Sequence, residues 1–178
     1  MSNLKGRRIA VLATDGVEQI ELTSPVEALR DAGAEVSVIS PNKDAIQGMN
    51  HDKPGDKIRV DARLCDVKAN QFDALLLPGG VANPDNLRLV PEAIQFVKGF
   101  VAQDKPIAAI CHGPWTLIDA GGAIGRRMTS WPSLKTDLAN AGAEWTDEPV
   151  VRDGHLVTSR KPEDLPRFNV AVLELFGE

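Results

Sequence analysis

The stretch "PIAAICHGPWT", Pro106 to Thr116, decides the fold. An apolar run, Pro106 to Ile110, stops at Cys111-His112, and Gly113 and Pro114 follow at once. A short apolar run bounded by a turn reads as a buried strand. Proline fits the first turn of a helix, where no backbone donor is lost, and glycine lets the backbone approach closely. The stretch therefore predicts strand, sharp turn and helix, with the cysteine at the elbow. Such a residue sits on a tight turn above the sheet, at the start of the next helix. There the helix N-terminus favours thiolate over thiol. His112 is placed to act as general base or as the thiolate's counter-charge. The alternative is an inert buried thiol, since free cysteine is among the most buried residue types.

Outward from this point, strand and helix signals alternate. Arg8–Ala13 is a buried strand ended by the turn signal "TDG". Glu18–Ala32 carries a helical face closed by Gly33, with an irregular start or a kink expected at Pro25. Ala34–Ser40 alternates as a strand. Pro41–Lys57 is polar and reads as an excursion from the core, with a short strand possible at Ile58–Asp61. Phe72–Leu77 is a strand stopped by Pro78-Gly79-Gly80. Pro91–Ala102 is a helix with proline at its start. Helices are also expected at Gly113–Ala120, Ser133–Ala141 and Pro162–Phe176. Val150–Val151 and Leu156–Thr158, split by Asp153-Gly154, read as a hairpin.

This alternation predicts an α/β fold: a doubly wound, mostly parallel sheet with helices on both faces. Ligands in such folds bind outside the carboxyl ends of the strands. Three loops fall there: Thr14–Glu18, Gly79–Asp85 and Cys111–Pro114. Glu18 should lie near the elbow if the first strand and the cysteine strand are neighbours. A carboxyl there can donate a hydrogen bond to the thiol if burial raises its pKa. Equally, Glu18 can be a helix N-terminal acid complementing the dipole. Asp15 and Glu21 are expected to be solvated. Gly79 and Gly80 are candidates for an oxyanion hole, since successive glycines let backbone N–H groups turn toward a ligand.

The chain has 178 residues, most simply one domain over 1–178. It is 43% hydrophobic and 25% charged, with a net charge of −5. No basic block appears, so no nucleic-acid partner is expected. Apolar runs are too short to span a bilayer, and the N-terminal "MSNLKGRRIAVLAT" lacks a cleavage-site pattern. Two cysteines, Cys65 and Cys111, are too few for a disulfide framework, so reduced thiols and a cytoplasmic location are expected. Cys65 reads as inert, and His51 and His155 as solvated or structural. No group of His, Cys or carboxylates has zinc-ligand spacing, so neither metal nor cofactor is expected.

Together the stretches "DGVEQIEL", "FDALLLPGG", "KPIAAICHGP", "MTSWPSLKTDLANAGAEW" and "LVTSRKPEDLP" resemble the ThiJ/PfpI family, the superfamily of the parkinsonism-associated protein. They run in family order over nearly the whole chain and are most similar to the PfpI-like branch of intracellular proteases and stress proteins. The resemblance implies a single flavodoxin-like domain of the class I glutamine amidotransferase-like kind. Cys111 matches the elbow nucleophile, His112 its partner, and Glu18 the glutamate that hydrogen-bonds the cysteine. Gly79 and Gly80 match the oxyanion-hole loop. Asp85 matches a carboxylate that a neighbouring subunit supplies in the protease branch. The family usually has glutamate there, and aspartate reaches roughly 1.5 Å less far, where about 1 Å of misplacement can lower a rate on the order of a hundredfold. Trp131 stands where that branch commonly has tyrosine.

A homo-oligomer, dimer or hexamer, is implied. So is a cysteine hydrolase acting on small dicarbonyls and glycated amines or, more weakly, on peptides. The competing class is a non-enzymatic stress protein, with Cys111 as an oxidation sensor or with a holdase surface. A glutaminase of the amidotransferase type would need a glutamate close after His155, which "HLV" lacks.

Overall fold

The computed structural model describes residues 3–178. The elements follow in the order β1 (Arg8–Leu12), β2 (Val17–Glu18), α1 (Gln19–Asp31), β3 (Glu35–Ser40), β4 (Ala45–Asn50), β5 (Lys53–Arg59), β6 (Ala62–Arg63) and β7 (Ala74–Leu77). Then come α2 (Ala82–Arg88), α3 (Pro91–Ala102), β8 (Ile107–Ile110), α4 (Pro114–Asp119), β9 (Arg127–Met128) and α5 (Lys135–Asn140). The chain closes with β10 (Glu144–Trp145), β11 (Val150–Asp153), β12 (Leu156–Ser159) and α6 (Leu165–Gly177).

Seven strands form the central sheet in the order β11-β12-β8-β7-β1-β3-β6. Every pairing is parallel except β11 with β12. This is the mostly parallel, doubly wound arrangement the alternating pattern predicts. Its central strands are buried on both faces, which is why they read as unbroken apolar runs. Within β1, Ile9 and Val11 pack toward α1 and α6, while Ala10 and Leu12 pack into the layer holding Val97, Phe100 and Leu117. α1 contributes Leu22, Val26 and Leu29 to the first layer, and the helix continues past Pro25. Among the described residues no helix is long and apolar enough to cross a membrane.

Three details differ from expectation, and each bears on the site. The strand carrying Cys111 is not a neighbour of β1, because β7 lies between them. The glycine loop after β7 therefore stands between the first loop and the elbow. Residues 82–85, expected within the Gly79–Asp85 loop, belong to the short helix α2, whose buried Asn83 and Leu87 were masked by the surrounding turn residues. The polar Pro41–Lys57 segment is largely the antiparallel hairpin β4–β5, which joins no strand of the main sheet and pairs instead with β2. β5 is mostly exposed and polar, and β4 buries only Ile46 and Gly48, too short an apolar signal to mark a strand.

The elbow after β8 is tightly confined. Cys111 has φ of +61°, a left-handed conformation disfavoured for a residue with a Cβ. Three backbone hydrogen bonds hold it: Cys111 N–H donates to Ser159 O (3.1 Å), Trp131 N–H to Cys111 O (3.0 Å) and Gly113 N–H to Ile110 O (2.9 Å). At Gly113 a Cβ would collide with the carbonyl oxygens of Leu77 and Ile110, backbone on both sides. Gly113→Ala is expected to destabilise the fold by about 1–3 kcal/mol, in the range of overpacked cores. Urea unfolding midpoints of the variant and the wild type check this.

Candidate active site

Glu21 holds the position expected of Glu18. Its side chain is fully buried, although it is an acid in the first turn of α1. Oε2 accepts a hydrogen bond from Gly79 N–H at 3.0 Å. Oε1 is buried with no fixed partner among the described residues. The carboxyl lies against the Cys111 thiol, and the two groups perturb each other. A Cβ on Gly79 would strike both Glu21 Oε2 and Cys111 Cβ, so only glycine lets the acid and the thiol meet. The Glu18 carboxylate turns instead to the hairpin, where it accepts the backbone N–H of His51 at 3.1 and 3.3 Å.

The missed signal was helical spacing. Glu21 belongs to the buried face of α1 with Leu22, Pro25, Val26 and Leu29, whereas Glu18 precedes the helix. An acid on an apolar stripe is more informative than one in a turn. Asp15 is not merely solvated either: its carboxylate accepts Gln47 N–H at 2.7 Å and the Asn42 side-chain amide at 3.0 Å.

The other elbow residues stand close to where they were expected. His112 Nδ1 lies 3.1 Å from Cys111 Sγ, although neighbours in sequence seldom face one another. The imidazole is stacked against Trp131 (centroids 5.9 Å apart) and meets Trp115 edge-on (5.0 Å). Burial among these rings holds its pKa below the usual histidine range. His112 is therefore neutral near pH 7, suited to act as a base and not as a fixed counter-charge. The backbone N–H groups of Gly80 and His112 face the thiol. Gly79 N–H is engaged by Glu21, so of the two loop glycines only Gly80 turns its donor to the sulfur. Asn83, fully buried, fastens that loop: its side-chain amide donates to Pro78 O and Gly79 O at 3.0 Å, and its oxygen accepts Thr14 N–H at 2.8 Å. Asp85 is exposed on α2 and does not line the cavity of its own chain.

Burial pushes the Glu21 carboxyl up to about 8, with a further push from the Glu18 charge. Burial also pushes the Cys111 thiol up, and an ionised Glu21 would push it further. Near neutral pH the carboxyl therefore keeps its proton, and the second of these causes lapses. A neutral carboxyl beside the sulfur can donate to a thiolate, which an ionised one cannot. The pair opens into a cavity of about 520 Å³, walled by Met49, Val81 and Trp131 and bordered by His51, Lys161 and Glu163. The other thiol, Cys65, is exposed far along the chain and lies outside this cavity.

The site thus defines an α/β protein with a cysteine on a strained strand-to-helix elbow, a buried acid beneath it and an apolar cavity above it. The DJ-1/PfpI family model matches residues 7–175, and the chain belongs to that family. It is 45% identical over 169 residues to the Bacillus subtilis protein named "Putative cysteine protease YraA", covering 95% of this chain and 98% of the relative. It is 44% identical over 172 residues to "Protein/nucleic acid deglycase 2" of Escherichia coli, covering 96% and 98%. Among solved structures, Drosophila melanogaster DJ-1beta superposes with a TM-score of 0.87 at 30% identity, covering 97% of this chain and 91% of that one.

Two outcomes follow from the Glu21 carboxyl. Its folded pKa of about 8 lies above its ordinary 4.5, so its contribution to stability is complete below pH 4.5 and is lost as pH rises toward 8. Glu21→Gln cannot ionise and should flatten this dependence, seen as a melting temperature that changes less between pH 5 and about 8 than in the wild type. Alkylation of Cys111 by iodoacetamide, followed by mass spectrometry, should also separate the two. Above about pH 8 the wild-type acid acquires charge beside the sulfur and restrains thiolate formation. The Gln variant should therefore react faster there, with little difference at pH 7.

Proposed function

We propose that the protein is a cysteine-dependent hydrolase of small dicarbonyls and their adducts with amines. The observation that carries this is the fully buried, protonated Glu21 with one unpartnered oxygen, set against Cys111 at the floor of an apolar cavity. A carboxyl whose pKa is near 8 can give and take protons close to neutral pH. The name of the Escherichia coli deglycase supports the same substrate class.

Methylglyoxal serves as the worked case. His112 Nδ1 takes the thiol proton, and the sulfur adds to the aldehyde carbon. The carbonyl oxygen, gaining the electron pair, is protonated, leaving a hemithioacetal. Glu21, ionised once it has given its proton to that oxygen, takes the C1 proton and returns it to C2, while the C1 hydroxyl proton passes through His112 to the C2 oxygen: the former aldehyde carbon becomes a thioester carbonyl and the former ketone an alcohol. Water cleaves the thioester to lactate and restores the thiol. The oxidation of one carbon balances the reduction of its neighbour, so no cofactor is required. With a glycated amine the sulfur displaces the amine at the carbinol carbon: the C–S bond forms, the C–N bond breaks, the amine leaves with the proton held by His112, and the same hemithioacetal results.

A wall of Met49, Val81 and Trp131 suits a small, weakly polar substrate. Peptide hydrolysis is the weaker activity under this proposal, since Asp85 lies outside its own chain's cavity and would have to act across a homo-oligomer contact. Lactate formation from methylglyoxal by wild type, Cys111→Ala, Glu21→Leu and Asp85→Ala tests the assignment. Cys111→Ala should abolish turnover, and Glu21→Leu should lower it by on the order of a hundredfold or more, as for loss of a general acid–base group. Asp85→Ala should leave it unchanged. A wild type inert toward methylglyoxal and its amine adducts, with a peptidase lost in Asp85→Ala, would replace this function with the protease.

A further inference from the structure

Three side chains of the segment Asp15–Gln19 grip the β4–β5 hairpin, beside a backbone bond from Gly16 N–H to Gln47 O at 2.9 Å. Asp15 accepts Gln47 N–H at 2.7 Å. Gln19 exchanges two hydrogen bonds with Asp56, at 2.7 Å to its backbone N–H and at 2.9 Å to its carboxylate. Glu18 takes the turn itself through His51 N–H. The only strand pairing that ties the hairpin to the rest of the described chain is the two-residue match of Val17 with Gly48 and Glu18 with Met49.

The turn matters because Met49 and His51 form one side of the Cys111 cavity. His51 has φ of +57°, a conformation that persists only when its surroundings over-determine it. Its exposed side chain makes no hydrogen bond among the described residues. The two-residue turn between β4 and β5 calls for that backbone, and the bond to Glu18 anchors it from outside the hairpin. Glu18 is itself only 9% exposed, and its side chain makes no other hydrogen bond among the described residues.

We propose that Glu18 is a positioning residue whose carboxylate, by accepting the His51 N–H, fixes the β4–β5 turn as a wall of the cavity and so limits the size of molecule that reaches Cys111. The proposal rests on the Cys111 cavity being the working site, but not on which reaction occurs there. Asp15 and Gln19 hold the hairpin strands, and Glu18 alone of the three holds the edge facing the thiol. Size selection then resides in a contact outside the reacting pair. Glu18 also lines the cavity and its charge acts on Glu21, so the Glu18→Gln variant, which drops the charge but keeps the acceptor and the bulk, separates the turn from these effects.

The test needs no substrate. Hydrogen exchange across residues 49–53 and the ratio of Cys111 alkylation rates by a bulky maleimide and by iodoacetamide are measured for wild type, Glu18→Ala, Glu18→Gln and Glu18→Asp. Glu18→Ala should speed exchange in the turn by about fivefold, the loss of one hydrogen bond of about 1 kcal/mol, and should raise the ratio. Glu18→Gln keeps an acceptor of the same length and should stay close to wild type in both. Glu18→Asp should fall between them, which keeps the test open if the alanine variant does not fold. An unchanged ratio in Glu18→Ala, or a Gln variant that behaves as Ala does, would overturn the proposal. So would faster exchange spread evenly over the chain. Failure of the dicarbonyl assay would leave these readouts untouched.

Discussion

The site depends on one strained residue. Cys111 adopts a left-handed conformation at the carboxyl end of β8, and an L-residue there carries roughly 1–2 kcal/mol of strain. That geometry survives because both of its backbone polar groups are bonded to neighbouring elements, Ser159 and the segment at Trp131. Glycine at 113 and at 79 removes the Cβ atoms that would otherwise block the turn. The outcome is a thiol lifted off the sheet, facing α1 on one side and a cavity on the other.

Facing α1 sets the electrostatics. A helix laid over a parallel sheet must bury one face, and this helix buries a carboxyl within that face. Desolvation then keeps the proton on Glu21 near neutral pH, and the bond from Gly79 N–H orients it. The same desolvation disfavours a thiolate on Cys111. The two groups thus compete for one site of negative charge, and titration belongs to the pair more than to either residue. His112, neutral and clamped between two tryptophans, is the available proton acceptor beside the sulfur.

A division of labour runs through "DGVEQIEL". Asp15, Glu18 and Gln19 bind the hairpin that walls the cavity, and Glu21, one helical turn beyond Glu18, reaches the thiol. Three acids in seven residues thus meet three environments: a turn edge, a backbone donor and a buried pocket. Their chemistry differs because their burial and partners differ, not because their side chains do. Asn83 plays the corresponding structural part for the glycine loop, tying it to the loop after β1.

By itself the sequence determined the alternation of strands and helices, the mostly parallel sheet and the cysteine at the elbow. These follow from local signals: apolar runs of strand length, helical spacing, and Gly-Pro after Cys-His. The matched motifs also carried the family, since they run in order over most of the chain. The partner of the thiol was decided only by tertiary structure. Glu18 and Glu21 are both acids near the start of one helix, and which of them meets Cys111 depends on the helix's rotation against the sheet and on β7 lying between β1 and β8. The hairpin was hidden for a related reason. Its outer strand β5 is polar and exposed, and side chains from a segment some thirty residues earlier hold it in place. Periodicity reports which face of an element is buried; it does not report which distant group will be waiting there.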